Sequence, residues 1–480
     1  MPSLASRPMF TALIIACALF MENLDGTIVT TALPDMAVSF GTSPLKLSLG
    51  ITAYMLSLAV FIPISGWVAD RFGSRTVFRA AIGVFTLGSI ICGLSQSVGE
   101  FTAARVLQGI GGAMMVPVGR LVLLRSVEKS ELVRALAYLT VPALIGPVLG
   151  PPVGGFITTY ASWHWIFFIN VPIGLLGMVL VSRYFENHRE PETPPLDWLG
   201  FALTGLALTS LMYGFELLGR DPSEQTTIAG FIGVGAVVGV FAVRHARTHR
   251  HALIDLSLLR IPTFAMTITG GSLFRIAGGA FPFLLPLMFQ IGFGMNAFTS
   301  GMLTFAGAAG SLLMKMTTRP ILVRFGFRTA LIGNGILSAG FIAVCCWFTD
   351  TTPALVVSAL LLAGGFFRSL QFTSLNALAF ADVPPRQMSA ATSLSSMAQQ
   401  ISLGFGVALA AGLLHATVSL RAAPALSATD FRIVLGIVGA LALVSILPFM
   451  RLPVDAGAEM TGCRQRSSAI AEPVPTGGDD

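Results

Sequence analysis

The chain has 480 residues, of which 54% are hydrophobic and only 11% charged, less than half the roughly 25% usual for soluble domains. With a mean hydropathy of +0.79 it lacks the polar residues that a water-soluble protein of this length needs to cover its surface. A soluble enzyme, a nucleic-acid-binding domain and a disordered protein are thereby excluded. The net charge of +6 lies in short segments between apolar runs, so the expected surrounding is a lipid bilayer and no nucleic-acid partner is expected.

A spanning helix needs about 20 mostly apolar residues. Fourteen segments qualify. The first six are 10–33, 46–68, 77–97, 101–124, 132–158 and 163–184; two follow at 197–219 and 226–244; the last six are 263–291, 297–317, 327–348, 353–380, 391–417 and 431–450. The fold class predicted is therefore an all-α polytopic membrane protein. Lys and Arg set the orientation. With the N-terminus inside, 22 of the 29 basic residues fall on the cytoplasmic side. Four (Lys46, Arg220, Arg421, Arg432) fall on the other side, and three (Arg105, Arg275, Arg368) within spans. This predicts a multi-pass protein of the inner (plasma) membrane with both termini cytoplasmic. The first span is too long for a cleaved signal peptide and carries Glu22 and Asp25. The tail 454–480 reads as disordered.

Span 1 holds two acids three residues apart, on one helix face. Ionisable groups inside a membrane are costly and by default serve a cavity or a partner. Two acids in a dry segment form an arrangement in which a carboxyl can carry a proton at neutral pH. A salt bridge to a membrane arginine that only fixes helix packing is the plainer account. After span 2 comes Gly66-Trp67-Val68-Ala69-Asp70-Arg71-Phe72-Gly73-Ser74-Arg75, a charge cluster at a helix junction that can latch one conformation and release in another. Span 4 carries Arg105-Val106-Leu107-Gln108-Gly109-Ile110-Gly111. Span 5 carries Gly146-x-x-x-Gly150-Pro151-x-x-Gly154-Gly155, where small residues four apart let backbones approach and proline favours a bend. Trp163 to Gly174 opens span 6 and reads as structural, with tryptophans at the membrane interface. Glu216 ends span 7; spans 7 and 8 are expected at the periphery, outside the substrate path. His245, His249 and His251 read as a solvated basic run. The five cysteines (Cys17, Cys92, Cys345, Cys346, Cys463) show no metal-type spacing. No nucleotide-binding or H-E-x-x-H motif is present. No catalytic set, no metal and no cofactor are expected, and the protein is not read as an enzyme.

An internal repeat orders the whole. Arg71-Phe72-Gly73-Ser74-Arg75-Thr76 recurs as Arg324-Phe325-Gly326-Phe327-Arg328-Thr329, at equivalent places in two six-span sets. The second copy has Val323 where Asp70 stands. The expected organisation is a six-helix bundle over 1–190, a two-helix insert and cytoplasmic linker over 191–260, a second bundle over 261–453, and the tail. The repeat offset carries Glu22 onto Arg275, which raises the expectation that the two face one another across the pseudo-twofold axis. Arg275, Arg368, Gln108, Gln371 and Asn376 are candidates for a substrate cavity; Asn170, Gln290, Gln399 and Gln400 could add hydrogen bonds there, and each alone also reads as a link between helices. Lys315 and Arg120, near span ends, read as snorkelling anchors.

These motifs resemble the major facilitator superfamily, and more narrowly its fourteen-span drug:proton antiporter family with MdtD-type members. The resemblance runs over all fourteen spans. The loop after span 2 matches G-x-x-x-D-R-x-G-x-R, which implies a conformational latch at Gly66, Asp70, Arg71, Gly73 and Arg75. Span 5 matches the antiporter motif G-x-x-x-G-P-x-x-G-G at Gly146, Gly150, Pro151, Gly154 and Gly155. Leu24 to Pro34 resembles L-D-x-T-x-V-N-x-A-L-P, with Thr30 in place of the usual Asn. Arg105 matches the arginine of R-x-x-Q-G-x-G that is implicated in proton coupling, while Asp25 and Glu22 are read as proton carriers from their place on one face of span 1. The resemblance implies a major facilitator fold of two six-helix bundles plus two inserted helices. It implies a proton-coupled antiporter exporting small organic compounds or drugs and driven by the proton motive force; a monomer is the expected state. Export of organic anions such as carboxylates or their metal chelates, proton-coupled import, and a channel remain alternatives. The slightly basic set of membrane arginines favours anions over lipophilic cations.

Overall fold

The computed structural model describes residues 7–126, 132–190, 193, 195–218, 225–249, 252–384, 387–422, 425–454 and 456–457. Side chains are not described for 7–9, 124–126, 132–144, 218, 316, 319 and 389. Cys463, His251 and nearly all of the tail lie outside these residues.

Among the described residues thirteen helices are long and apolar enough to cross a membrane. With Leu132–Tyr160 they follow the hydropathy runs one for one. In chain order they are α1 Phe10–Ser39, α2 Pro44–Phe72, α3 Ser74–Leu94, α4 Val98–Leu123, α5 Leu132–Tyr160, α6 Trp165–Tyr184, α7 Trp198–Leu217, α8 Gln225–Thr248, α9 Pro262–Gly292, α10 Ala297–Lys315, α11 Pro320–Trp347, α12 Ala354–Ala379, α13 Ala390–Leu420 and α14 Ala428–Phe449. In a bilayer each backbone polar group must be satisfied within its own segment, which the helix achieves. The helix starts are capped where the sequence offers an oxygen. Ser43 accepts from Leu45 N ahead of Pro44, and Asn296 Oδ1 accepts from Thr299 N at 2.8 Å. Ser427 and Asp430 form a capping box at α14.

The repeat seen in sequence is a repeat in packing. In the first set α1 packs on α5, α2 on α4, and α3 on α4 and α6. In the second set α9 packs on α13, the α10–α11 stretch on α12 and α14, and α9 also on α14. The two loop glycines that occupy equivalent places share an unusual backbone: Gly73 has φ 92° and ψ 134°, Gly326 φ 72° and ψ 165°. Side-chain-bearing residues rarely enter that region, which is why both copies hold glycine.

The two sets meet through α5 against α10 and α2 against α13. A Cβ on Gly155 would run into the Ala297 carbonyl, and one on Gly301 into the Pro151 carbonyl, so these backbones touch. Beside them Phe298 N donates to Thr159 Oγ1 at 3.0 Å, Gln290 Nε2 donates to Thr31 O at 3.0 Å, and Phe298 packs its ring on Phe156 and Tyr160. The molecule is therefore closed at the end where α5 finishes and α10 begins.

The inserted helices α7 and α8 pack on each other, and α7 also touches α2 and α13. Neither lends a described residue to the lining of the central cavity. Glu216, expected only as the polar end of span 7, is buried and accepts from Ser48 Oγ at 2.9 Å and from Thr52 Oγ1 at 3.5 Å. It fastens α7 to α2.

Candidate functional site

Two features define the centre of the molecule: a polar hub within the first six helices and a cavity between the two sets. The hub is built on Asp25, whose side chain is fully buried. Arg105 Nη1 donates to Asp25 Oδ2 at 2.5 Å. Gln108 Nε2 and Asn170 Nδ2 donate to Oδ1 at 2.9 and 3.1 Å. Arg105 also donates to Gln108 Oε1 at 2.5 Å and to Gly50 O at 3.4 Å, and lies 4.1 Å from the Tyr54 ring centroid. Ser89 Oγ accepts from Gln108 and Asn170 at 2.7 and 3.2 Å. Helices α4 and α6 thus bond the α1 carboxylate directly, and α2 and α3 join the hub through Gly50 and Ser89. A buried ion pair is tolerable only when hydrogen bonds satisfy its remaining atoms, and here both carboxylate oxygens are occupied.

Asp25, Arg105 and Gln108 come together as the motifs imply. Ser89 was missed, and Asn170, expected only as one of several polar residues that could add a hydrogen bond, is a direct partner of Asp25. Asn170 sits in the Trp163 to Gly174 segment read as structural, yet its amide is buried against Asp25. Only the packing of α6 on α3 reveals this, although an Asn inside an apolar run is a polar signal.

Glu22 does not join the hub. It lies one turn earlier on α1 and faces α4, its Oε1 3.6 Å from where a Cβ on Gly112 would stand. Glu22 Oε2 has no hydrogen-bond partner among the described residues. The expected pairing of Glu22 with Arg275 is absent. Arg275 Nη2 donates instead to Asn376 Oδ1 at 2.8 Å, with Nε and Nη1 unpartnered among the described residues. The reason is geometric. Each residue faces the fourth helix of its own set, so the pseudo-symmetry relates the two without bringing them into contact.

The cavity has a volume of about 540 Å³. Gly26, Thr27 and Thr30 of α1 and Pro147, Val148 and Pro151 of α5 form one wall. Gly278 to Pro286 of α9, α10, α12 and α13 form the other. Gly26 and Gly279 are equivalent in the repeat, and both line it. Of the five cavity candidates Arg368 alone is there, its guanidinium 4.6 Å from the Phe281 ring centroid, and Gln399, one of the further polar residues, lines it too. Gln108 belongs to the hub. Gln371 is a buried packing pin, accepting from Asn334 Nδ2 at 2.8 Å and donating to Leu331 O at 3.0 Å. Asn376 and Arg275 hold each other outside the lining. Lys315, expected as a snorkelling anchor, lines the cavity at an exposed position and donates to Thr373 Oγ1 at 2.6 Å. The charged lining among the described residues is thus Arg368 and Lys315, with no acid.

Around the cavity the two motif regions take distinct places. Gly146, Gly150 and Gly154 press α5 onto α1 at Phe20 to Ile28, the segment that holds Asp25. Gly155 presses on α10. The loop after α2 is held by the chain that leaves α6. Arg75 Nη1 donates to Phe185 O at 3.4 Å, Ser74 N to His188 O at 3.0 Å, and Glu190 N to Asp70 O at 3.1 Å. Arg71 is exposed and Gly66 has open space about its Cα.

A helical protein with two repeated six-helix sets around a central cavity is a membrane transporter. A family model of the Major Facilitator Superfamily matches residues 15–407, and the chain belongs to that family. It is 38% identical over 462 residues to "Putative multidrug resistance protein MdtD" of Escherichia coli (strain K12), covering 95% of this chain and 97% of that one. It is 38% identical over 404 residues to "Probable transport protein HsrA" of Haemophilus influenzae, covering 84% and 87%. Among solved structures it is similar to a D-xylose-proton symporter (TM-score 0.67, 15% identity, 95% and 99% covered). It is equally similar to an auto-inhibited POT family peptide transporter (TM-score 0.67, 15% identity, 99% of each). At that identity these two speak for the fold alone.

Proposed function

We propose that this protein is a proton-coupled antiporter that exports small organic compounds across the inner membrane by alternating closure of its two six-helix sets, with both termini cytoplasmic and the chain acting as a monomer. The multidrug-resistance name of the relatives supports export. The observation that carries the coupling is the Asp25–Arg105 hub, placed directly behind the cavity wall. Gly26, Thr27 and Thr30 line the cavity on the same helix whose Asp25 bonds α4 and α6.

A proton on Asp25 would cancel the charge that holds Arg105. Arg105 would keep its bonds to Gln108 and Gly50, while α1 would lose its strongest tie to α4. The turn of α1 that lines the cavity would then be free to shift, and the glycine stripe of α5 would carry that shift to the seam with α10. Cargo acts on the same turn from the other side. Loading and protonation therefore compete for one helix, which is what exchange of proton for cargo requires. The Gly66 to Arg75 loop acts as the latch on the cytoplasmic side.

A second reading concerns cargo charge. Among the described residues the cavity wall holds Arg368 and Lys315 without an acid, which favours organic anions such as carboxylates over lipophilic cations.

The test is transport in proteoliposomes with an imposed pH gradient. Wild-type transport should follow the gradient and collapse with a protonophore. Asp25→Asn should retain counterflow but lose the response to the gradient, and Asp25→Glu should restore part of it. Gradient-driven transport by Asp25→Asn at the wild-type rate and pH profile would overturn the reading.

A further inference from the structure

The insert holds a cluster that the transport cycle does not use. Asp197 precedes α7 and is buried. Its Oδ1 accepts from Gly200 N at 2.8 Å, capping the helix, and its Oδ2 accepts from Leu253 N at 3.1 Å. His245 Nε2 lies 2.8 Å from Oδ1. One turn further along the same helical run, His249 N bonds to His245 O at 2.9 Å, and the two imidazoles lie side by side, centroids 4.8 Å apart and nearly parallel. The donor atoms of Asp197, His245 and His249 all fall within 4.8 Å of one another. This corrects the solvated-run reading for His245, whose ring is drawn in against Asp197; His249 stays exposed beside it.

We propose that Asp197, His245 and His249 form a binding site for one divalent transition-metal ion of the Zn2+ class. Two imidazoles at i and i+4 on one helix face, completed by a carboxylate from another element, supply borderline-soft nitrogen with one hard oxygen, the donor set of Zn2+ and its neighbours. A tetrahedral ion with ligand bonds of about 2.0–2.2 Å sets its donors about 3.3–3.6 Å apart, so His245 Nε2 must draw back from its 2.8 Å approach to Asp197 and the widest separation of 4.8 Å must close, with water in the fourth position. The outer support is already built: Gly200 N and Leu253 N fix the carboxylate, as outer partners do at metal centres. Burial opposes charge on Asp197, but these two N–H groups and the His245 ring together hold its carboxyl below the usual range.

His249 separates this proposal from simple helix capping. Capping uses Asp197 and His245; His249 is exposed and makes no hydrogen bond with its ring among the described residues. In a purely structural cluster its ring would only lie against that of His245. With an ion in place, the start of α7, the end of α8 and the Leu253 segment leading into α9 are clamped at one point. The site is independent of the transport reading.

The test uses the full chain in detergent, purified without a histidine tag, titrated with Zn2+ against a chromophoric chelator and followed by thermal unfolding. One Zn2+ should bind per chain and raise Tm, while Mg2+ at the same concentration should not. His249→Ala should leave the metal-free Tm unchanged and weaken Zn2+ binding by about tenfold or more. Asp197→Asn should weaken it too. The absence of a Zn2+-dependent Tm shift in the wild type would overturn the proposal, and so would an equal response to Mg2+ or a shift that His249→Ala retains.

Discussion

Arg75 and Arg328 make the same bond in opposite halves of the molecule. Each follows a loop glycine by two residues, and each donates to a backbone carbonyl just past the sixth helix of its own set: Arg75 to Phe185 O at 3.4 Å, Arg328 to Met450 O at 3.0 Å. The duplicated six-residue segment thus has a duplicated task. It ties the turn between the second and third helices to the end of the sixth. Removing either guanidinium should cost about 1 kcal/mol, the scale of one hydrogen bond from a charged donor at a part-exposed site. Tm values of Arg75→Ala and Arg328→Ala in detergent should fall by similar amounts, and a drop in only one would break the equivalence.

The glycines of that loop are not alike. Gly73 and Gly326 hold positive φ, so alanine at either should cost about 1–3 kcal/mol in backbone strain. Gly66 belongs to the same motif but is helical, and a Cβ added to it would have nothing within 4 Å. Alanine there should leave Tm unchanged or slightly raised. Transport measured on a well-folded Gly66→Ala variant then decides whether Gly66 matters in a state other than this one. Loss of transport assigns it to a close approach made during the cycle, and full transport removes it from the latch.

Among the described residues Asp25 and Arg105 form a buried ion pair, each being the charge that compensates the other. Breaking a buried ion pair by removing one partner costs about 3–5 kcal/mol, because the other charge stays buried and uncompensated. Arg105→Ala should therefore lower Tm sharply. Arg105→Lys should rescue little, since a point charge cannot reach Asp25, Gln108 and Gly50 together as the guanidinium does. The double variant Asp25→Asn with Arg105→Gln should be more stable than Arg105→Ala alone. A double variant no better than the single would mean that the pair is not what holds these helices.

The helices were legible because each is a long apolar run, and the repeat because one short charged loop was copied nearly unchanged. Half of the hub was legible too: an acid and an arginine inside spans must find partners, and Asp25 found Arg105 and Gln108. What could not be read was direction around the helix axis. Asn170 is readable as a polar group able to bond, but not as one that α6 turns toward Asp25. Glu22 and Arg275 were matched correctly by the repeat but wrongly as neighbours, since a rotation axis maps one residue onto the other wherever they lie. Gln371 and Asn376 were polar residues in an apolar span, and sequence alone does not say whether such a group lines a cavity or satisfies a neighbouring helix. Both do the latter. The Glu216 tie to α2 was hidden for the same reason.

Cargo charge can be tested at the cavity wall. Arg368 lies over Phe281 and makes no hydrogen bond among the described residues, so its guanidinium is open to an acidic group. Arg368→Ala should raise the KM for an anionic substrate about tenfold or more, the scale of one lost charge-assisted bond. It should leave a neutral or cationic compound little affected or improved. Gln371→Ala should instead lower Tm without a selective change in KM. Equal effects of Arg368→Ala on anions and cations would remove charge recognition from this wall.

The seam between α5 and α10 offers a way to move the whole population. Gly155 meets the Ala297 carbonyl and Gly301 meets the Pro151 carbonyl, so an added methyl on either collides with rigid backbone across the two sets. The collision exists only while this end is closed, because separating α5 from α10 relieves it. Gly155→Ala and Gly301→Ala should therefore destabilise this closed arrangement more than the fold. The balance should shift toward the state open at this end by the differential cost, and a few kcal/mol suffices to invert a two-state population. A cysteine placed at Thr31, beside the Gln290 contact, reports the change. Its labelling by a membrane-impermeant thiol reagent should be slow in the parent and several-fold faster with either alanine, at unchanged helix content. Phe298→Ala, which removes ring contacts to Phe156 and Tyr160 but adds no clash, should give a smaller increase. If labelling stays slow in all three while Tm falls, the strain is absorbed inside one set, and the glycines pack helices without gating the path.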